Sequence, residues 1–141
     1  MEYAHHEEEN VELPIANVIA QGSHLTILNM YASPNATLDN IIATLTKAMC
    51  NIQLNQRILI LGNFNIDLSK MNTKTKALEN YMHGHNFHIL LDKEKVLSKL
   101  LIDNVWSNCP IQNFNTFILD AYWTNHDAIY VVLNNANKNT P

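Results

Sequence analysis

"ILILGNFNID" (residues 58–67) runs a continuous apolar strand into a small polar turn, and the residue that decides how the chain is read is Asn63. Four branched apolar side chains closed by Gly62 form the pattern of a strand buried on both faces. A strand that ends in Gly, an acid, an aromatic and Asn presents its acid to a metal or a phosphate. Here the acid position holds an amide, so the stretch has the outline of an active site with one charge removed.

Upstream, "SPNATLDNIIATLTKAMCNI" changes period. Thr37 can cap, and Leu38, Ile41, Ile42, Leu45 and Met49 recur at three- and four-residue steps, which predicts a helix over about 37–52 laid on a sheet by one apolar face. Before it, "VELPIANVIA" and "HLTILNMYA" flank "QGS" and read as a hairpin, with Pro14 placing the first strand at a sheet edge or bending it. Residues 1–10, with His5, His6 and three consecutive glutamates, show no amphipathic period and read as a flexible acidic segment. Downstream, a less firmly capped helix is expected over about 73–84, where Leu78, Tyr81 and Met82 share a side, Gly84 stops the helix and His83 and His85 sit at the negative dipole end. The runs "FHILL", "LLIDNVW", "FNTFILD" and "AIYVVL" predict four more strands. Within them His88 reads as a strand residue facing solvent, and Trp106 and Trp123 read as packing. The composition of residues 135–141 is that of a disordered tail. The order of elements predicts one α/β domain over 11–134, a layered sandwich with a mixed β-sheet and helices packed on it.

Composition narrows the partners. Nine Lys and Arg against thirteen Asp and Glu give a net charge of −4 over 141 residues, unsuited to gripping a polyphosphate backbone by electrostatics. Any contact with nucleic acid must be weak and local. Lys70, Lys74 and Lys76 form one loose group, Lys93, Lys95 and Lys99 another, and Arg57 is the one residue suited to bidentate phosphate contact; all are read as solvated faces. No stretch approaches the 18 apolar residues of a membrane span. Cys50 and Cys109 lack metal-ligand spacing and read as free thiols, which fits a cytoplasmic or nuclear compartment.

Four segments now stand in a definite order: "NMYASPNA" after a strand, "LGNFNIDL" after the buried strand, "LIDNVWSN" with an acid in a strand, and "WTNHDAI" before the last strand. Over about residues 11–134 this order resembles the endonuclease/exonuclease/phosphatase superfamily, in particular the endonuclease-like domains of LINE-type retrotransposons and related insect mobile elements. The family's corresponding patterns are Tyr-x-x-Pro, Gly-Asp-Phe-Asn, an Ile-Asp strand and Ser-Asp-His.

The resemblance implies a divalent metal on carboxylates, an activated water and a histidine that stabilises the developing charge. It gives Tyr31 a phosphate contact, Asn65 the orientation of the phosphate, Asp103 support of the site and His126 donation to the scissile phosphate. Two acids of the pattern are missing: Asn63 and Asn125 stand where the family has aspartates. An amide has nearly the shape of a carboxylate, but it takes up no proton near neutral pH and offers no charge to Mg²⁺. Losing a general base alone costs on the order of 10²–10⁴ in rate. Asp67, or Asp127 beside His126, is a candidate replacement ligand, with Asp67 and Asp103 the expected metal contacts if Mg²⁺ or Mn²⁺ binds at all.

The resemblance also implies that the chain is the C-terminal part of a truncated fold, without the family's principal metal-binding glutamate, which Glu7, Glu8 and Glu9 lie too close to the first strand to supply. The expected product is a degenerate, non-catalytic binding or interaction protein, with a weak Mg²⁺- or Mn²⁺-dependent phosphodiesterase or nuclease as the alternative. A truncated sandwich leaves one sheet face open, so a homodimer or a protein partner covering that face is expected, unless the first strands rearrange over it.

Overall fold

The computed structural model describes residues 2–8, 10–20, 23–52, 56–90, 103–109, 114–119 and 128–133. In chain order its elements are β1 (Glu2–Glu8), β2 (Val11–Ala20), β3 (Ser23–Ala32), α1 (Leu38–Cys50), β4 (Ile58–Asn63), α2 (Thr73–Gly84), β5 (His88–Ile89), β6 (Asp103–Ser107), β7 (Phe114–Leu119) and β8 (Ala128–Leu133). A six-stranded mixed sheet has the order β1-β2-β3-β4-β6-β5, and β7 and β8 form a separate antiparallel pair. This is the α/β arrangement expected of the chain, a mixed sheet with two helices packed on it. No helix among the described residues is long and apolar enough to cross a membrane.

The sheet is built around β4, whose Ile58, Leu59 and Ile60 are all buried. It pairs parallel with β3 and antiparallel with β6, so it has neighbours on both sides, as a continuous apolar run requires. On β3 the alternation is plain: Leu28, Met30 and Ala32 are buried, whereas Asn29 and Tyr31 are exposed. The parallel crossover from β3 to β4 is α1. Thr37 caps it by accepting a hydrogen bond from the Asn40 N–H at 3.1 Å, and Asp39 in the first turn and Lys47 in the last suit the helix dipole. Its buried face is Ile41, Thr44, Leu45 and Ala48. The apolar spacing located Ile41 and Leu45 and set Leu38, Ile42 and Met49 beside them; these three are only partly covered, because the sheet touches the stripe one step round. Asn72 caps α2 through the Thr75 N–H at 3.0 Å, and Leu78 and Met82 complete the core beside Trp106. The hydroxyls of Thr46 and Tyr81, 2.8 Å apart, join the two helices.

Several details depart from expectation. The acidic start is not a frayed end: Glu2–Glu8 pairs residue for residue with β2, from Glu2↔Asn17 to Glu8↔Val11. Periodicity is silent there because pairing is carried by backbone groups, which an amphipathic pattern does not report. β2 is therefore an internal strand in spite of Pro14. Its ladder to β3 lapses at Leu13 and Pro14 and resumes in the same register at Ile15↔Leu28, which accommodates the missing proline N–H without moving the strand to an edge. At the end of α2 the left-handed residue is Asn86, with φ 64°, not Gly84, and the His85 ring bonds to the Tyr81 carbonyl at 2.9 Å. His88 is half-buried, its Nε2 withdrawn from water, where an open solvent face was expected. The proposed tail, residues 135–141, lies outside the described residues, as does Trp123.

Candidate functional site

Because β3 and β4 are parallel, their C-terminal ends reach the same edge of the sheet, where Tyr31 pairs with Asn63. The antiparallel β6 begins at that edge with Asp103 opposite Asn63. Three residues singled out from separate stretches of sequence thus occupy consecutive positions of one row, about 4.8 Å from strand to strand. Directly paired residues share a sheet face, here the one turned away from Met30 and Leu28. The row continues to Glu12, opposite Tyr31 on β2, and to Glu7, opposite Glu12 on β1. These two acids were not assigned to the site from sequence, although counting back from the "QGS" turn pairs Glu12 with Tyr31.

The turn after β4 is closely determined. Gly62 has φ 132°, and a Cβ there would lie 2.0 Å from the Met30 carbonyl oxygen, so the approach of β3 admits only glycine. Phe64 and Ile66 are buried and anchor the turn in the core. Asn63 is half-buried, and its Oδ1 accepts a hydrogen bond from the Asn65 backbone N–H at 2.8 Å, an Asx turn. Asn65 has φ 51°, a left-handed conformation that asparagine tolerates, and its side-chain amide nitrogen donates to the Ala32 carbonyl. The residue expected to orient a phosphate therefore clamps the end of β3 to the turn with the same group.

Asp67 is engaged locally. Its Oδ1 accepts from the Ser69 N–H at 3.0 Å and from the Ser69 hydroxyl at 2.6 Å, while its carbonyl accepts from the Thr75 hydroxyl at 3.2 Å. This ties the loop to α2. Asn63 presents an amide, the Asp67 carboxylate is held by Ser69, and no group of three His, Cys, Asp or Glu side chains that could hold a metal occurs among the described residues. Among the described residues there is thus no set of the several hard anionic or carbonyl oxygens around one point that Mg²⁺ or Mn²⁺ requires. Asn125, His126 and Asp127 lie outside the described residues, and Asp103 is placed by its register alone.

On the face that carries the row, Leu25, Leu59 and Val105 are buried, Ile27 and Leu61 are partly covered, and Tyr31 is 50% exposed. On this face Asn29 and Tyr31 are the exposed residues of β3.

No family model matches the sequence, and no curated protein matches it. Solved structures do. The endonuclease domain of TRAS1, a telomere-specific non-LTR retrotransposon, matches with a TM-score of 0.73 at 9% identity over 94% of this chain and 67% of that one. An endonuclease/exonuclease/phosphatase family protein from Leptotrichia buccalis matches with a TM-score of 0.65 at 12% identity over 86% of this chain and 52% of its own. One from Beutenbergia cavernae matches with a TM-score of 0.61 at 11% identity, over 88% and 40%. The chain therefore spans about two thirds of the first of these structures and about half or less of the other two. At such identities the likeness is one of architecture, and it establishes that this chain has the fold of the endonuclease/exonuclease/phosphatase proteins, retrotransposon endonuclease domains included.

Proposed function

We propose that the chain is a mobile-element-derived endonuclease-like domain that has lost catalysis and acts as a binding or interaction protein. The observation that carries this reading is Asn63: the turn keeps its shape through the Asn65 N–H, Gly62 and the buried Phe64, while the position where the fold's relatives resemble Gly-Asp-Phe-Asn holds no charge. An amide brings no charge to a cation and takes up no proton near neutral pH, so one substitution weakens two functions at once. The deciding experiment is incubation with plasmid DNA, RNA and a generic phosphodiester in Mg²⁺ or Mn²⁺, beside His126→Ala. The reading expects no cleavage above the EDTA control; metal-dependent cleavage that disappears in His126→Ala overturns it.

The alternative, a weak Mg²⁺- or Mn²⁺-dependent phosphodiesterase or nuclease, is favoured by one observation: Tyr31, Asn63 and Asp103 still share a row at one sheet end. The same assay separates the two readings. The interaction surface we assign to the binding role is the face bearing Ile27, Leu61 and Tyr31, covered by a second copy or a protein partner. Light scattering that finds a monomer at every concentration, with no partner added, removes the homodimer.

A further inference from the structure

The open strand edges of this molecule are of two kinds. At the borders of the six-stranded sheet stand β1, rich in Glu and His (Glu2, His5, His6, Glu7 and Glu8), and β5, which is only two residues long. Charged residues and very short strands are the means by which soluble proteins keep an open edge from pairing with another chain. β7 and β8 carry neither. Over Phe114–Leu119 and Ala128–Leu133 there is no charged residue, no proline and no glycine, and β8 is apolar throughout. Among the described residues these strands pair only with each other, so each keeps one row of backbone N–H and C=O groups without a strand partner there. A ribbon of two strands is marginal in water, and further strands on its edge are one way to make it stable.

The two strands differ in what they can pair with. When a strand pairs antiparallel with its own copy, a two-fold axis passes through one residue, and every other residue faces one an even number of positions away. On β8, an axis through Val131 sets Tyr130 opposite Val132 and Ile129 opposite Leu133; an axis through Tyr130 sets Ile129 opposite Val131 and Ala128 opposite Val132. Every such pair is apolar, and aromatic with β-branched is among the favourable cross-strand combinations. On β7 the same operation sets Asn115 opposite Phe117 or Leu119. The edge that complements itself is therefore that of β8. We propose that β8 pairs antiparallel with the β8 of a second copy, joining the two ribbons into one continuous sheet in the order β7-β8-β8-β7. Each copy offers one such edge, so pairing closes at a two-fold dimer and does not propagate. This surface is separate from the face bearing Ile27, Leu61 and Tyr31, and its use does not depend on whether the site cuts.

The test combines light scattering of the full chain with cross-linking. The parent is expected to be a dimer, and Val131→Lys, which brings two like charges together near the axis, is expected to be a monomer with the parent's circular dichroism. Where Val131→Lys does not fold, cross-linking decides. In a Cys50→Ser background, which removes the exposed thiol and leaves the buried Cys109, Tyr130→Cys and Val131→Cys are oxidised in air with copper–phenanthroline. A residue on the axis faces its own copy at about 5 Å between Cβ atoms, so one of these two variants is expected to give a disulfide-linked dimer. Thr116→Cys and Phe117→Cys on β7 are expected to stay monomeric on a non-reducing gel. A parent that is monomeric at every concentration overturns the proposal, as does a dimer that links through neither β8 position or links through β7 instead. A dimer that survives Val131→Lys and dissociates in Ile27→Glu belongs to the other face, and it also overturns the proposal.

Discussion

The two ends of β4 use the same residue type to opposite effect. At its start, Asn108 is saturated: its Oδ1 accepts from the Ile58 N–H at 2.8 Å and its Nδ2 donates to the Gln56 carbonyl at 2.9 Å. Around it, the Ser107 hydroxyl donates to the Ile58 carbonyl and accepts from the Cys109 N–H, and Asn17 Oδ1 accepts from both Thr26 and Gln56. One terminal nitrogen of Arg57 is the exception, buried without a partner among the described residues. At the other end of the strand, Asn63 uses only its oxygen, and the neighbouring Tyr31 hydroxyl is unused among the described residues. A saturated amide fastens strands. An amide with a free half, on an exposed edge, has capacity left for something that is not part of the fold.

That contrast can be broken by substitution. The largest effect is expected from Gly62→Ala, which forces a Cβ to 2.0 Å from a backbone oxygen at φ 132°. A loss of about 3 kcal/mol or more is expected, or failure to fold, read from the urea midpoint. Next is Asn108→Ala, which leaves a half-buried N–H and C=O unpaired and costs about 2 kcal/mol. Asn63→Ala removes one bond and costs about 1 kcal/mol, whereas Asn63→Asp, which keeps the acceptor, stays within about 0.5 kcal/mol of the parent. Equal costs for Asn108→Ala and Asn63→Ala in matched urea titrations would erase the distinction between the two ends.

The smallest effect lies away from the site. Burial pushes the Tyr81 hydroxyl above its ordinary value of 10.0, with Cys50 adding to the rise and the Thr46 hydrogen bond opposing it. The folded chain then holds this proton more tightly than the unfolded one. The contribution is complete below the ordinary tyrosine value and is lost as pH rises through the higher folded value. Tyr81→Phe should flatten the alkaline limb of a stability–pH profile and leave the neutral region little changed.

Much of this was legible in the sequence because the signals were local. Gly62 after four apolar residues gave the buried strand, Thr37 ahead of a 3.6-residue apolar spacing gave α1, and two β-rich runs about "QGS" gave the hairpin. β1 was not legible: Glu2–Glu8 is held by main-chain pairing to β2, for which its side chains carry no pattern. Tyr31, Asn63 and Asp103 stood out in order along the chain, each at or next to the end of a strand, but their alignment in one row depends on non-local register. The roles of the amides were not legible at all. That Asn65 clamps Ala32 and that Ser69 engages Asp67 are facts of a turn in three dimensions.

The central claim is that the site keeps its shape but lacks the anions a divalent cation needs. It is tested most directly by calorimetric titration of Mn²⁺ into the parent chain and into the Asn63→Asp, Asn125→Asp double variant. The account predicts no saturable uptake by the parent and one bound ion in the double variant; a parent that binds Mn²⁺ as tightly as the double variant would contradict it.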